Sequence, residues 1–236
     1  MKHLIKNKYI WIFATYILIM TVVPRGLKFV LYLGDVGKTE HLAFKNYHVE
    51  NDLLIIWLNI SIQLLILGFV FFLYSSTSVF TWKRPIVKGK DFLNALYIFL
   101  WKILVSGIAG IVFVFINGGL GDATPQNQQN LEVAIQTSLV TVISTVILAP
   151  IIEEFFFRKI LIGHIFASHP YIGLMLSSLI FGGLHLVSGF SVVGLIIYCG
   201  MGLFLGLLYL KTNRLESSMI AHSFNNLISS LRILIQ

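Results

Sequence analysis

The sequence predicts an all-α fold, a polytopic transmembrane helical bundle of about seven spans (six to eight) with its N-terminus in the cytoplasm. Three observations carry that expectation. The 236 residues are 57% hydrophobic and 11% charged, and the mean hydropathy of +0.86 is far above that of an ordinary water-soluble domain. The apolar residues fall in runs close to the ~20 residues that cross a hydrocarbon layer, where an open chain satisfies its own backbone only as a helix. Lysine and arginine cluster in alternate connections, the asymmetry that sets membrane orientation.

The first run, Tyr9 to Leu33, follows Lys2, Lys6 and Lys8. No small-residue cleavage site follows it, so it reads as a retained helix rather than a signal peptide. Pro24 and Arg25 interrupt it, which ends its membrane part near Val23. The second run, Leu53 to Tyr74, is followed by Lys83, Arg84, Lys88 and Lys90. The loop before it sets Lys38 and Lys45 against Asp35, Glu40, Glu50 and Asp52, and parity assigns it outside. The third run, Phe92 to Ile116, contains Lys102, alone in its span and able to snorkel toward the cytoplasmic edge. Gly118 to Asn130 then carries Asp122 and a Gln/Asn-rich tract but no basic residue.

The fourth run, Leu131 to Ser168, is too long for one perpendicular helix. Proline inside a helix removes a hydrogen bond and kinks the chain, so Pro150 is expected to divide the run into Leu131–Ala149 and Ile151–Ser168. Three more runs follow: Tyr171 to Val187, Val192 to Leu210, and Ser217 to Ile235. Ser188 to Ser191 has no basic residue, whereas Lys211 and Arg214 follow the sixth span. Gly202 and Gly206 form a G-x-x-x-G read as close internal packing. Residues 1–130 therefore read as N-terminal transmembrane helices and 131–236 as the functional core of one integral membrane domain.

The formal charge of +7 does not point to nucleic acid, because no basic helix or stacking platform accompanies the clusters. The single cysteine, Cys199, excludes an internal disulfide and a multi-cysteine metal site and reads as packing.

Charges at membrane depth are costly, and they single out the candidate site. Among ten acids, only Glu153 and Glu154 lie deep within an apolar run. Among seven histidines, only His185 and His222 do. Glu154 and Arg158 stand at i and i+4, neighbours on one helical face, so Arg158 can neutralise Glu154. Glu153, about 100° round the helix, is left for chemistry. His222 and Asn226 are also at i and i+4, with Asn225 able to serve in place of Asn226. Glu153 and His185 lie at similar depths from the cytoplasmic face; His222 is shallower by the same count unless its span is tilted or starts deeper. Desolvation makes a carboxylate a stronger base, so Glu153 can activate a water shared with His185. His222 and Asn226 can donate to a developing oxyanion. The competing classes are a transporter that uses buried carboxylates, against which stands the absence of an inverted repeat, and a non-catalytic immunity or scaffold protein.

At these residues the sequence resembles the CAAX prenyl protease and bacteriocin-processing family (CPBP, also called Abi) of intramembrane endopeptidases. The family motifs E-E-x-x-x-R, F-x-x-x-H and H-x-x-x-N/D stand here as Glu153-Glu154-Phe155-Phe156-Phe157-Arg158, Phe181-Gly182-Gly183-Leu184-His185 and His222-Ser223-Phe224-Asn225-Asn226. The resemblance covers roughly Leu131 to Ile235. It implies peptide-bond cleavage at the membrane, with Glu153 and His185 activating water, His222 and Asn226 stabilising the oxyanion, and Glu154 and Arg158 as structural support. No cofactor is favoured. Zinc is the alternative, with Glu153, His185 and His222 as its three protein ligands, although no H-E-x-x-H pair is present. The implied partners are membrane lipid and a membrane-associated peptide or protein: a prenylated CAAX-like tail, a bacteriocin or a pheromone precursor. The implied setting is a prokaryotic cell membrane, in peptide maturation or bacteriocin immunity. Nothing in the sequence sets an oligomeric state.

Overall fold

The computed structural model describes residues 8–35, 52–76, 87–118 and 124–235, which form helices and no strand. In chain order they are α1 (Lys8–Asp35), α2 (Asp52–Ser76), α3 (Gly89–Asn117) and α4 (Gln126–Thr137). Then come α5 (Val140–Ile165), α6 (Pro170–His185), α7 (Val192–Thr212) and α8 (Leu215–Ile235). Lys2, Lys6, Lys83, Arg84, Asp122 and the first loop with Lys38, Glu40, Lys45 and Glu50 lie outside the described residues.

Among the described residues, four segments are long and apolar enough to cross a bilayer: Lys8–Gly34, Gly89–Ile116, Val140–Ile165 and Val192–Thr212. Ile56–Phe69 and Pro170–His185 are shorter apolar helices. α8 has comparable length, but its inner face is polar, with Ser217, Ser218, His222, Asn225 and Ser230 all buried. Large apolar side chains cover the outside instead. On α3 alone, Phe92, Leu96, Trp101, Ile108 and Phe115 are exposed, the arrangement of a protein whose solvent is lipid. The chain is an all-α, polytopic membrane bundle.

Two expected breaks fall elsewhere. α1 runs through Pro24 to Asp35, since a long membrane helix tolerates the loss of one backbone bond. The long fourth run divides at Ser138, which is extended with φ −154 and ψ 122, and not at Pro150. α5 passes through Pro150 because the preceding turns, Ser144–Leu148, widen to a π-helix. There Ala149 N–H reaches back five residues to the Ser144 carbonyl. A widened turn moves the carbonyls away from the proline ring that would otherwise clash with them.

α5 is the centre of the packing. Phe155, Phe156 and Phe157 are all buried; Tyr16 of α1 stacks on Phe156 at 4.0 Å, and Phe13 meets Phe157 edge-on at 5.6 Å. α6 and α7 lie close enough that a Cβ on Gly202 would come within 3.0 Å of Ser178 Cα, and one on Gly182 within 3.1 Å of Cys199 N. The glycine pair thus serves internal packing, and Cys199 is a free, half-buried thiol in the same seam. The starts of α3 and α8 are clamped by Asp91, which accepts from Arg214 Nη1 at 2.8 Å and Nη2 at 3.1 Å and also from Ser217 Oγ.

Candidate active site

The doublet on α5 is organised by what lies on either side of it. Glu154 is fully buried and holds two partners: Arg158 Nε lies 3.0 Å from its Oε2, and His222 Nδ1 donates to its Oε1 at 2.9 Å. Arg158 is also fully buried. It donates from Nη1 to Ser177 Oγ of α6 at 3.2 Å, and its guanidinium lies 5.5 Å from the Phe181 ring centroid. A buried carboxylate with a single partner would remain partly uncompensated; this one has each oxygen beside a donor.

Because Nδ1 of His222 faces a carboxylate, it carries the hydrogen, and in the neutral ring Nε2 is left with its lone pair. That Nε2 lies 3.9 Å from Oε2 of Glu153. Glu153 Oε2 is buried and has no hydrogen-bond partner among the described residues. The expected partner of Glu153 was His185; the histidine set against it is His222. Only Asn213 and Arg214 separate α8 from α7, and Leu215 already packs on the core around α5, so α8 lies against α5 from its first residue and brings His222 to the doublet.

His185 ends α6. Its Nδ1 donates to the Phe181 carbonyl at 2.8 Å, which commits the hydrogen to that nitrogen and leaves Nε2 available. The ring sits between Phe181 and Tyr198, at centroid separations of 4.4 and 4.6 Å. Glu153, His185, His222 and Asn226 all line one cavity of about 890 Å³, so the four residues expected to do chemistry share a space.

Asn226 has a second task that the sequence did not disclose. Its Nδ2 donates to the Thr145 carbonyl at 2.9 Å. In the widened turn, where Ala149 N–H bonds Ser144, the next carbonyl would take the N–H of residue 150, and proline has none. Asn226 supplies the missing donor from α8. Its Oδ1 accepts from Asn225 Nδ2 at 3.0 Å, so one amide hydrogen remains uncommitted.

Among the described residues, no three His, Cys, Asp or Glu side chains gather closely enough to hold a metal ion. Glu153, His185 and His222 therefore do not form the three-ligand set that zinc requires.

Several cavity residues come from helices on which the sequence had placed no site residue. Tyr16, Gln63 and Lys102 belong to α1, α2 and α3. Gln63 Oε1 accepts from Ser144 Oγ at 2.7 Å. Lys102 does not snorkel to the membrane edge; its Nζ donates to Ser229 Oγ of α8 at 2.7 Å. Its readable signal was a charge in the middle of an apolar span with no acid on the same helix face.

Comparison with known proteins agrees with the motifs. Residues 135–228 match the family described as type II CAAX prenyl endopeptidase Rce1-like. A curated relative, YdiL of Bacillus subtilis (strain 168), named as a membrane peptidase, is 30% identical over 139 residues, 58% of this chain and 54% of the relative. The chain thus spans about half the length of that relative. No solved structure matches.

Proposed function

We propose that the protein is an intramembrane endopeptidase of the CAAX prenyl endopeptidase type, which hydrolyses a peptide bond in a membrane-associated peptide or protein; the match of residues 135–228 to the Rce1-like family and the three motifs support this reading. The observation that carries this reading is the buried Glu153 Oε2, unbonded among the described residues and facing His222 Nε2 across 3.9 Å. An oxygen ~2.8 Å from each atom would subtend roughly 90° between them. One water in that position donates both hydrogens and turns its lone pairs outward, toward a carbonyl carbon.

In this reaction Glu153 takes a proton as the water oxygen bonds to the carbonyl carbon, and the carbonyl π pair moves to oxygen. The free amide hydrogen of Asn226 donates to that oxyanion. Collapse expels the amine, which receives the proton held by Glu153, with His185 Nε2 available as a relay. Glu154 acts through His222: the Nδ1–H···Oε1 bond fixes the tautomer and aims Nε2 at Glu153. Arg158, with Nε 3.0 Å from Glu154 Oε2, holds that carboxylate in place. In this reading Glu153 is the base of the hydrolysis and no metal ion takes part in the step.

The substrates that fit are a prenylated CAAX-like tail, a bacteriocin precursor or a pheromone precursor, each delivering an extended segment from the bilayer. Comparative peptidomics of membranes from cells expressing wild type or Glu153→Gln tests the reading. Fragments that appear only with wild type, at equal membrane abundance of the two proteins, support it. Identical peptide profiles with altered ion-driven uptake would favour a transporter, and identical profiles with unchanged uptake a scaffold or immunity protein.

A further inference from the structure

Tyr16 of α1 is a buried tyrosine whose ring is fully employed and whose hydroxyl is not. It is 2% exposed. The ring stacks on Phe156 at 4.0 Å, meets Phe157 edge-on at 6.1 Å and has Phe13 of its own helix tilted beside it at 6.3 Å. A phenylalanine would make all three contacts, so packing does not account for the oxygen. A buried phenol ordinarily finds a hydrogen-bond partner, yet the Tyr16 hydroxyl has none among the described residues. Glu153, Phe156 and Phe157 stand at i, i+3 and i+4, neighbours on one face of α5. Tyr16 therefore covers the helix face that carries the base; it lies within electrostatic reach of Glu153 and lines the same cavity.

We propose that Tyr16 is a further residue of the active site, whose hydroxyl donates a hydrogen bond to a backbone carbonyl of the bound peptide beside the bond that Glu153 hydrolyses. This rests on the endopeptidase reading and adds to it a substrate contact from α1, a helix that precedes the family match at residues 135–228. The chemistry calls for such a donor. A segment must be extended to expose its peptide bond to attack, and its carbonyls then lose their intrahelical donors, which is costly at membrane depth. A phenol is protonated at neutral pH and has one hydrogen to give. Asn226 stands on the other side of the base. Its amide is anchored at Thr145, eight residues before Glu153 on α5, whereas Tyr16 sits at Phe156, three residues after it. The two donors flank the carboxylate, so Asn226 takes the scissile carbonyl and Tyr16 that of a neighbouring bond. A contact to a bond that does not react is the same in ground and transition state, and it acts on KM rather than kcat.

The test compares wild type with Tyr16→Phe, which keeps the stacked ring and removes only the oxygen. The probe is one S-farnesylated peptide, together with two analogues in which the peptide bond on either side of the scissile one is a trans-alkene that keeps the shape and lacks the carbonyl oxygen. Cleavage is followed in neutral-lipid nanodiscs, binding is measured with Glu153→Gln and Tyr16→Phe/Glu153→Gln, and thermal unfolding is recorded for all four proteins. The expected result is matching unfolding curves for wild type and Tyr16→Phe, a KM about tenfold higher in Tyr16→Phe, the scale of one hydrogen bond, and little change in kcat. One of the two alkene peptides should lose the same factor with wild type and should not distinguish it from Tyr16→Phe. Tyr16-dependent binding of the parent peptide without cleavage by wild type would uphold the contact and overturn the endopeptidase reading. Equal KM and equal binding with and without the hydroxyl, or a rise in KM that merely follows a loss of folded protein, overturns the contact whatever the hydrolysis does. A fall in kcat at unchanged KM would put the hydroxyl on the reacting atoms and overturn the assignment to a neighbouring carbonyl. Wild type that neither binds nor cleaves the peptide would overturn both readings.

Discussion

Substituting Pro150 and Asn226 by alanine, singly and together, tests whether the asparagine amide replaces a donor that proline removed. Asn226→Ala strips the Thr145 carbonyl of its 2.9 Å partner, and an unsatisfied buried acceptor costs about 1–3 kcal/mol. For a chain of this size each kcal/mol moves the melting temperature by about 2–4 °C, so the single variant should melt roughly 2–12 °C lower. Pro150→Ala supplies an N–H where the π-turn calls for one and should be neutral or stabilising, since a helix-interior proline carries a penalty of up to ~3 kcal/mol. In the double variant the new N–H takes the Thr145 carbonyl, and most of the lost stability should return, a coupling of about 1–3 kcal/mol. The assay is thermal unfolding in detergent by fluorescence-detected size exclusion, with peptide turnover in vesicles measured alongside. Turnover should remain low in the double variant, because the second amide hydrogen, assigned to the oxyanion, is still missing; one such donor is worth about 10²–10³ in rate. If Asn226→Ala costs as much stability without Pro150 as with it, the proline–asparagine compensation is wrong.

Three further outcomes follow from the geometry. Glu154→Gln should lower both membrane abundance and turnover, since it strands buried Arg158 and frees His222 Nδ1; breaking a buried pair costs about 3–5 kcal/mol, and a variant with intact turnover would show that His222 is aimed by something else. Asp91→Ala unclasps the starts of α3 and α8 by removing the acceptor of Arg214 and Ser217. It should reduce thermal stability by about the same amount while leaving the KM of the residual folded protein close to wild type. Prolonged treatment with a zinc chelator should leave peptide cleavage unchanged, and a loss restored by added zinc would contradict the glutamate-only reaction.

The sequence made the bundle and its polar heart readable for a physical reason. Charge is so costly in lipid that Glu153, Glu154, His185 and His222 stand out against their apolar neighbours without any knowledge of the fold. Adjacency along one helix was also legible: Glu154 and Arg158 pair as their i, i+4 spacing requires. Relations between helices were not. That His222 rather than His185 stands against Glu153 depends on how α8 packs against α5, which residue counting along each run does not decide. The course of the chain at Pro150 was misread because proline was weighed alone. Its lost bond is made good by Asn226, 76 positions later in the sequence. Lys102 was set aside as a snorkelling side chain for a similar reason, since Ser229 is 127 positions away.

If Glu153 is the base and Glu154 its structural support, removing the Glu153 carboxylate should stop turnover and leave the fold intact. Purified wild type and Glu153→Gln, reconstituted at equal amounts, are assayed for cleavage of the same prenylated peptide and for thermal unfolding. The expected result is matching unfolding curves and a rate for Glu153→Gln lower by about 10²–10⁴, the contribution of a positioned general base. Wild-type turnover in Glu153→Gln, or a loss of turnover that merely follows a loss of folded protein, would contradict it.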